Sequence, residues 1–317
     1  MAGVRVPVIV GPTAVGKTAV ALALGALWPL EVISADSRQI YTGLDVATAK
    51  PSRRELARVP HHGLDLVRPG ERYSAGRFAR DGIEWILDVQ RRGRLPVVVG
   101  GTGLYVRALM DGLFLEPPLD PDRRRAVERW VERLDNRALV RWAGRLDTRF
   151  QGGGRQRAAR AVEVALLSGR SLSYWQEHAR AESPVEPWYV VLTVPRAVLH
   201  RRIAARAHEM VRRGLVEEVA AVLAEGCPPD GPGLDAVGVR EAVEYLHGVR
   251  DRESVLEAII VATRQYAKRQ ETWFRHQPRG PILTLDATGT PETLAQQIAD
   301  AWAADTDRPD AARGGRL

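Results

Sequence analysis

Cysteine is almost absent: Cys227 stands alone in 317 residues. One thiol makes neither an internal disulfide nor a thiolate zinc cage, so a reducing cytoplasm is the expected setting. Long apolar runs are missing as well. None approaches the ~18 residues of a membrane span, and the first residues lack the apolar core of a signal peptide. The chain is therefore expected to be a soluble, cytoplasmic protein with no membrane partner, and a monomer, because no apolar stripe is left over. Lysine is the third scarcity: of 46 basic residues, only Lys17, Lys50 and Lys268 are lysine. A sequence that writes arginine nearly everywhere keeps lysine where a compact ammonium rather than a planar fork is needed. Lys50 and Lys268 thereby become candidates for the site of Lys17.

What is present is organised around Gly11-Pro12-Thr13-Ala14-Val15-Gly16-Lys17-Thr18, preceded by the apolar run 6–10 and followed by the helix-prone run 19–24. Strand, glycine loop and Lys-Thr opening a helix is the context of a phosphate-binding P-loop. The glycines let backbone N–H groups turn inward, and the helix N-terminus adds partial positive charge. Lys17 reaches the phosphates and Thr18 can place its hydroxyl on Mg²⁺. In parallel α/β sheets ligands sit at the carboxyl ends of strands, so a strand at 31–34 delivers Asp36 and Ser37 beside this loop. The competing role for Asp36 is a helix cap. A buried strand at 95–99 ends in Gly100-Gly101-Thr102-Gly103, where a P-loop NTPase would carry an Asp for Mg²⁺. The missing carboxylate argues against ordinary ATP hydrolysis. The glycines predict close approach of a ligand to bare backbone, with Thr102 as a hydroxyl ligand. The adjacent His61 and His62 make a poor metal site and are expected to be structural.

Alternating strands and helices predict an α/β fold: a P-loop parallel-sheet core with helices on both faces, over 1–116 and 188–303. Residues 117–187 read as an inserted all-helical domain with helices at 121–134, 136–146, 155–167 and 171–181. From 304 the tail is expected to be disordered. Net charge is +7 and pI about 10, which suggests a polyanionic partner. Residues 122–170 hold thirteen arginines against six acids, a surplus equal to that of the whole chain. With Trp130, Trp142 and Trp175 interleaved among Arg123, Arg124, Arg155, Arg157 and Arg160, the insert predicts a nucleic-acid phosphate surface. The bland alternative is a solvated face over an ordinary core. Arg202 and Arg206, at i,i+4, read either as a lid over phosphates or as surface charge. Near the end of a long helix at 253–276, Lys268, Arg269 and Arg275 accompany Trp273 and Phe274, the mixture of charge and stacking that single-stranded nucleic acid prefers.

These stretches together resemble the tRNA dimethylallyltransferase family. The motifs are 11–18, Ala-Asp-Ser-Arg-Gln-Ile-Tyr at 35–41, Thr-Ala-Lys-Pro at 48–51, Pro-His-His at 60–62, Gly-Gly-Thr-Gly-Leu-Tyr at 100–105, Arg-Ile-Ala-Ala-Arg at 202–206 and Thr-Arg-Gln-Tyr-Ala-Lys-Arg-Gln-x-Thr-Trp-Phe at 263–274. The resemblance implies transfer of a dimethylallyl group from dimethylallyl diphosphate to N6 of the adenosine 3′ of the anticodon, with release of diphosphate. It implies that Gly11 through Thr18 bind the donor diphosphate rather than a triphosphate. Asp36 would take the N6 proton, Lys17, Arg206 and Arg202 would stabilise the leaving group with Mg²⁺ on Thr18, and Thr13 and Thr102 would orient donor and base. Contacts to the tRNA anticodon stem-loop are implied for Asp36, Ser37, Arg38, Gln39, Thr102, Arg124, Arg155, Gln156, Arg157, Ala158 and Ala159, and are read for Lys268 and Arg269 from their charge. Two departures stand out: Gly153-Gly154 replaces the family's usual Asn-Asp, and Gly238-Val239 lacks the usual aromatic. A kinase with Asp36 as base, and an RNA-binding protein with a nucleotide switch, are the competing readings.

Overall fold

The computed structural model describes residues 3–112, 120–178 and 183–306. The chain divides into two compact units, Met1–Met110 with Pro184–Leu317, and Asp111–Ser183. In the first unit β1 (Val4–Val10) leads to α1 (Lys17–Leu24), and β2 (Leu30–Ala35) leads to α2 (Arg53–Arg58) and β3 (His61–His62). Then come α3 (Ala75–Arg91), β4 (Leu95–Gly100) and α4 (Gly103–Met110). The second unit holds α5 (Pro121–Glu132), α6 (Asn136–Leu146), α7 (Arg155–Ser168) and α8 (Leu172–His178). The first unit resumes with β5 (Val185–Thr193), α9 (Arg196–Arg212), α10 (Leu215–Ala224), α11 (Val239–Leu246), α12 (Arg252–His276), β6 (Ile282–Asp286) and α13 (Pro291–Thr306).

Among the described residues the strands form one parallel sheet in the order β3-β2-β4-β1-β5-β6. The central strands are continuous apolar runs because helices cover both faces. Val8, Val10, Val98 and Tyr189 point into one core, while Ile9, Val97, Val99 and Val190 point into the other. The sheet therefore presents every strand end on one side to whatever the loops build there. Local signals set the helix starts. Ser74 accepts a hydrogen bond from the Arg77 amide at the head of α3, and Ser52 with Glu55 closes a capping box on α2.

The sequence reading missed β3, where His61 and His62 pair with Val32 and Ile33 as a short edge strand. Two residues give no periodicity to read. β5 starts at Val185, paired with Val4, so the helical unit ends at Ser183 rather than 187; its start at Asp111 rather than 117 follows the end of α4. α13 carries helix through Thr306, which corrects the expected tail at 304–306; the remainder, 307–317, lies outside the described residues, as do 113–119 and 179–182. The helical unit has its own core of Val131, Leu139, Ala143, Ala158, Ala161 and Val162, against which Trp130 packs, edge-on to Trp142 at 5.5 Å.

Candidate functional site

The loop after β1 takes backbone that few residues tolerate. Gly11 and Gly16 have φ of +151° and +112°, and Ala14 has +62°. A Cβ on Gly11 would meet the Leu192 carbonyl oxygen at 2.6 Å, so the loop lies directly against the end of β5. Lys17 opens α1 and turns its ammonium back over the loop, donating to the carbonyls of Gly11 and Pro12 at 2.9 Å each. Burial draws its pKa down to about 8; Asp36 opposes that shift and Arg206 adds to it. The Arg206 pKa is also lowered, chiefly by burial, with Asp36 again opposing. A carboxylate and two half-buried cations thus converge beyond the carboxyl ends of β1 and β2, with Arg206 supplied by the middle of α9.

Asp36 follows β2 and does not cap a helix. Its Oδ1 accepts from the Arg38 amide at 2.9 Å, fixing a tight turn. The turn is pinned from the next strand: the Thr102 hydroxyl accepts from the Ser37 amide at 2.9 Å and lies 3.2 Å from the Ser37 hydroxyl. Burial raises the pKa of Tyr266 on α12 to about 12, with Asp36 adding to the shift and Thr102 opposing it. One turn on, Gln270 accepts from the Thr13 amide and donates to the Gly101 carbonyl, both at 2.8 Å. α12 therefore ties the glycine loop to the end of β4. The sequence reading quoted Tyr266 and Gln270 but gave them no role; their spacing, i and i+4, was the signal that both face one way.

Two cavities open here. One, of about 520 Å³, is lined by Thr13 through Val20, Gly101, Arg202, Arg206 and Gln270. The other, of about 390 Å³, is lined by Arg38, Thr48, Arg240 and Arg269 at its polar side and by Ile203, Met210, Val237 and Ile259 at its apolar side. Thr13, Asp36, Arg206 and Tyr266 line both. An anion in the first and an organic acceptor in the second would meet at those four residues.

Several expectations are corrected. Lys50 is not in this site: its buried ammonium bonds the Tyr41 carbonyl at 2.6 Å, Asp45 at 2.7 Å and Asp65 at 2.5 Å, clamping a loop. Lys268 lines a separate groove with Arg264 and Arg275. Gly100 and Gly103 make room for protein rather than ligand, while Gly101 packs against Gln270 and also lines the first cavity. A Cβ on Gly100, Gly101 or Gly103 would lie 2.2, 2.3 or 2.2 Å from Ala35, Gln270 or Trp273 respectively. Thr102 positions the Asp36 turn and is not among the residues lining either cavity. Arg202 lines the first cavity, but its guanidinium donates to the carbonyls of Val15 and Ala287 at 2.9 Å, so it braces the loop.

Of the residues expected to touch RNA, Arg38 and Arg269 line the second cavity, and Arg269 lies 5.7 Å from the Tyr266 ring centroid. Gln39 is buried, its amide spanning Ser34 and the carbonyls of Thr48 and Ala49. In the helical unit Gln156 and Arg157 are exposed and Arg124 is half-buried. Arg155 donates to the carbonyls of Val131, Glu132 and Leu134, closing the end of α5. Ala158 is fully buried and Ala159 packs on the same core, so neither side chain faces out. Gly154 caps α7 without a side-chain bond, a visible cost of the Gly153-Gly154 departure. Val239 is buried in the sheet's core.

The family model described as IPP transferase matches residues 39–277, and one described as isopentenyl transferase matches 4–65. A tRNA dimethylallyltransferase of Thermomicrobium roseum is 39% identical over 318 residues, spanning 97% of this chain and 95% of its own. That of Halorhodospira halophila is 45% identical over 286 residues, spanning 88% and 92%. Among solved structures, a full-length tRNA isopentenylpyrophosphate transferase from Bacillus halodurans superposes with a TM-score of 0.71 at 33% identity, covering 95% of this chain and 96% of that one. A eukaryotic dimethylallyltransferase described as acting on tRNA gives 0.78 at 27% identity, covering 96% and 80%.

Proposed function

The chain belongs to the IPP transferase family, and from that premise we propose that it is a tRNA dimethylallyltransferase, moving the group from dimethylallyl diphosphate to the N6 amine of the adenosine 3′ of the anticodon. The observation that carries the reading is the pair of cavities meeting at Thr13, Asp36, Arg206 and Tyr266. The donor diphosphate fits the first, where the 11–18 loop presents backbone N–H groups and the head of α1. The base, turned out of its stack, fits the second.

At the shared wall the C1–O bond of the donor breaks as the N6–C1 bond forms, and the N6 proton passes to the Asp36 carboxylate. Lys17 and Arg206 stabilise the charge that builds on the departing diphosphate. Both are half-buried beside the cavity, where such interactions are stronger than in open water. Thr18 and Asp36 face the first cavity, a donor set that suits Mg²⁺, an ion that keeps several waters and takes substrate oxygens. Mg²⁺ there would neutralise part of the leaving group's charge. Asp36 is held for its task by Thr102 through Ser37, and Gln270 holds the loop. β4 ends in glycine instead of the carboxylate that triphosphate hydrolysis employs, which supports a diphosphate donor. The exposed Arg157 and Gln156 of the helical unit suit the tRNA. We place the enzyme in the cytoplasm, acting as a monomer.

Incubation of the protein with unmodified tRNA and dimethylallyl diphosphate labelled in the allyl group, without ATP, should put label into tRNA as prenylated adenosine. Label appearing in any acceptor from the γ-phosphate of ATP, with none from the allylic donor, would overturn the reading in favour of a kinase.

A further inference from the structure

One wall of the second cavity is irregular chain. Ala47 and Thr48 line it beside Asp36 and Arg38, yet they belong to a succession of turns between β2 and α2 rather than to a helix or strand. Backbone outside regular structure has to find its hydrogen-bond partners elsewhere. Here three amides find theirs on one side chain. Glu218, in the first turn of α10, accepts from the amides of Asp45 and Val46 through Oε1, at 2.7 and 2.9 Å, and from the amide of Ala47 through Oε2, at 2.7 Å. Acids in the first turn of a helix ordinarily serve that helix's own dipole, and the exposed Glu217 fits that role. Glu218 instead turns both oxygens on a segment 171 to 173 residues earlier in the chain. Apolar contact backs the tie: Leu44 and Ala47 are buried in the same core as Leu215, Val219 and Val222 of α10. The far side of the turn is joined to the reacting corner. Gln39, three residues beyond Asp36, donates to the carbonyls of Thr48 and Ala49 at 3.3 Å each, and the Thr48 hydroxyl donates to the Leu44 carbonyl.

We propose that Glu218 is a positioning residue for the acceptor: by gathering the three amides it fixes where Ala47 and Thr48 stand, and so sets the width of the cavity that takes the base. The inference rests on the prenyl-transfer reading given above and adds to it a residue that lines neither cavity. Hydrogen bonds from backbone N–H groups to a carboxylate are short and strong, and its two oxygens can serve three amides that converge on one point. With the tie gone the wall can shift, and misplacing a bound group by about 1 Å costs about 10²-fold in rate. Ala47 and Thr48 do not line the first cavity, so diphosphate binding there is spared.

The test compares the parent chain with Glu218→Gln and Glu218→Ala. Glutamine keeps one acceptor oxygen but sets an NH₂ group against a neighbouring amide, whereas alanine removes the tie altogether. Amide hydrogen exchange at Asp45, Val46 and Ala47 should quicken about tenfold or more in Glu218→Ala and less in Glu218→Gln. kcat/KM for tRNA should fall in the same order, by about 10²-fold for alanine, while affinity for inorganic diphosphate stays within about twofold of the parent's. Unchanged exchange at 45–47 overturns the tie itself. Faster exchange with an unchanged kcat/KM for tRNA overturns its part in placing the base. An equal fall in diphosphate affinity overturns it too, since the whole fold would then have loosened. Should Glu218→Ala not fold, Glu218→Gln carries both readouts. Exchange is measured with neither substrate present and judges Glu218 by itself, whereas prenyl transfer by the parent chain judges the underlying reading.

Discussion

The two ends of the sheet use the same residue types to opposite effect. At the amino ends, Glu31, the second residue of β2, has only 3% of its side chain exposed, yet His62 lies 2.7 Å away, Arg94 3.2 Å away, and Arg92 binds it through both nitrogens of its fork. Hydrogen bonds from Arg92, foremost, hold the Glu31 carboxyl below its ordinary range. The protein finishes that cluster by itself. At the carboxyl ends the half-buried Lys17 and Arg206 share one carboxylate, Asp36, and face a cavity. The comparison teaches that charge density marks a site poorly; what marks it is charge left for something else to complete.

Substitutions at the two ends should therefore separate cleanly. The largest effect belongs to Asp36→Asn, which keeps shape and loses the proton acceptor. We expect kcat for prenyl transfer to fall roughly 10²–10⁴-fold with tRNA affinity retained; a fall below tenfold would remove Asp36 from the base role. Next comes Lys17→Met, expected to lower kcat/KM for the donor by roughly 10²–10³-fold. The parent should itself show the dependence on that proton. With a pKa of about 8 the ammonium is present below that pH and lost above it. kcat/KM for the donor should then decline about tenfold per pH unit on the alkaline side, a limb that Lys17→Met abolishes.

At the opposite end Glu31→Ala strands two arginines and a histidine, and the melting temperature should drop on the order of 5 °C with kcat unchanged. The parent's stability from Glu31 is complete above the ordinary carboxylate pKa and fades as pH falls below it, since the folded state holds the group ionised. A normal melt with reduced turnover would erase the contrast between the ends. The smallest effect is Arg157→Ala in the helical unit, expected to lower the salt slope of tRNA binding by about 0.9; an unchanged slope would take Arg157 off the RNA surface.

Much of this was legible in one dimension. The strand, glycine loop and Lys-Thr of 11–18 carry their own geometry, and the strand-end rule brought Asp36 beside them before any coordinate did. The helical unit announced itself by its break in alternation and its arginines. What stayed hidden were partners. Lysine scarcity pointed to Lys50, but its ammonium is consumed by Tyr41, Asp45 and Asp65, contacts that only the folded loop creates. Arg155 resembled an RNA contact and is an end-cap for a helix met twenty residues earlier in the chain. Gly103 promised room for a ligand, and Trp273 of α12 filled it. A pattern states which face a residue shares; which neighbour occupies that face is decided by the whole chain.

The closeness of Gly100 to the neighbouring strand also constrains substitution there. A Cβ there would sit 2.2 Å from the Ala35 oxygen, so no point mutation can install at that strand end the acid found in nucleotide hydrolases without first parting β2 from β4. The bare strand end is thus a packing requirement of the sheet as well as a feature of the site.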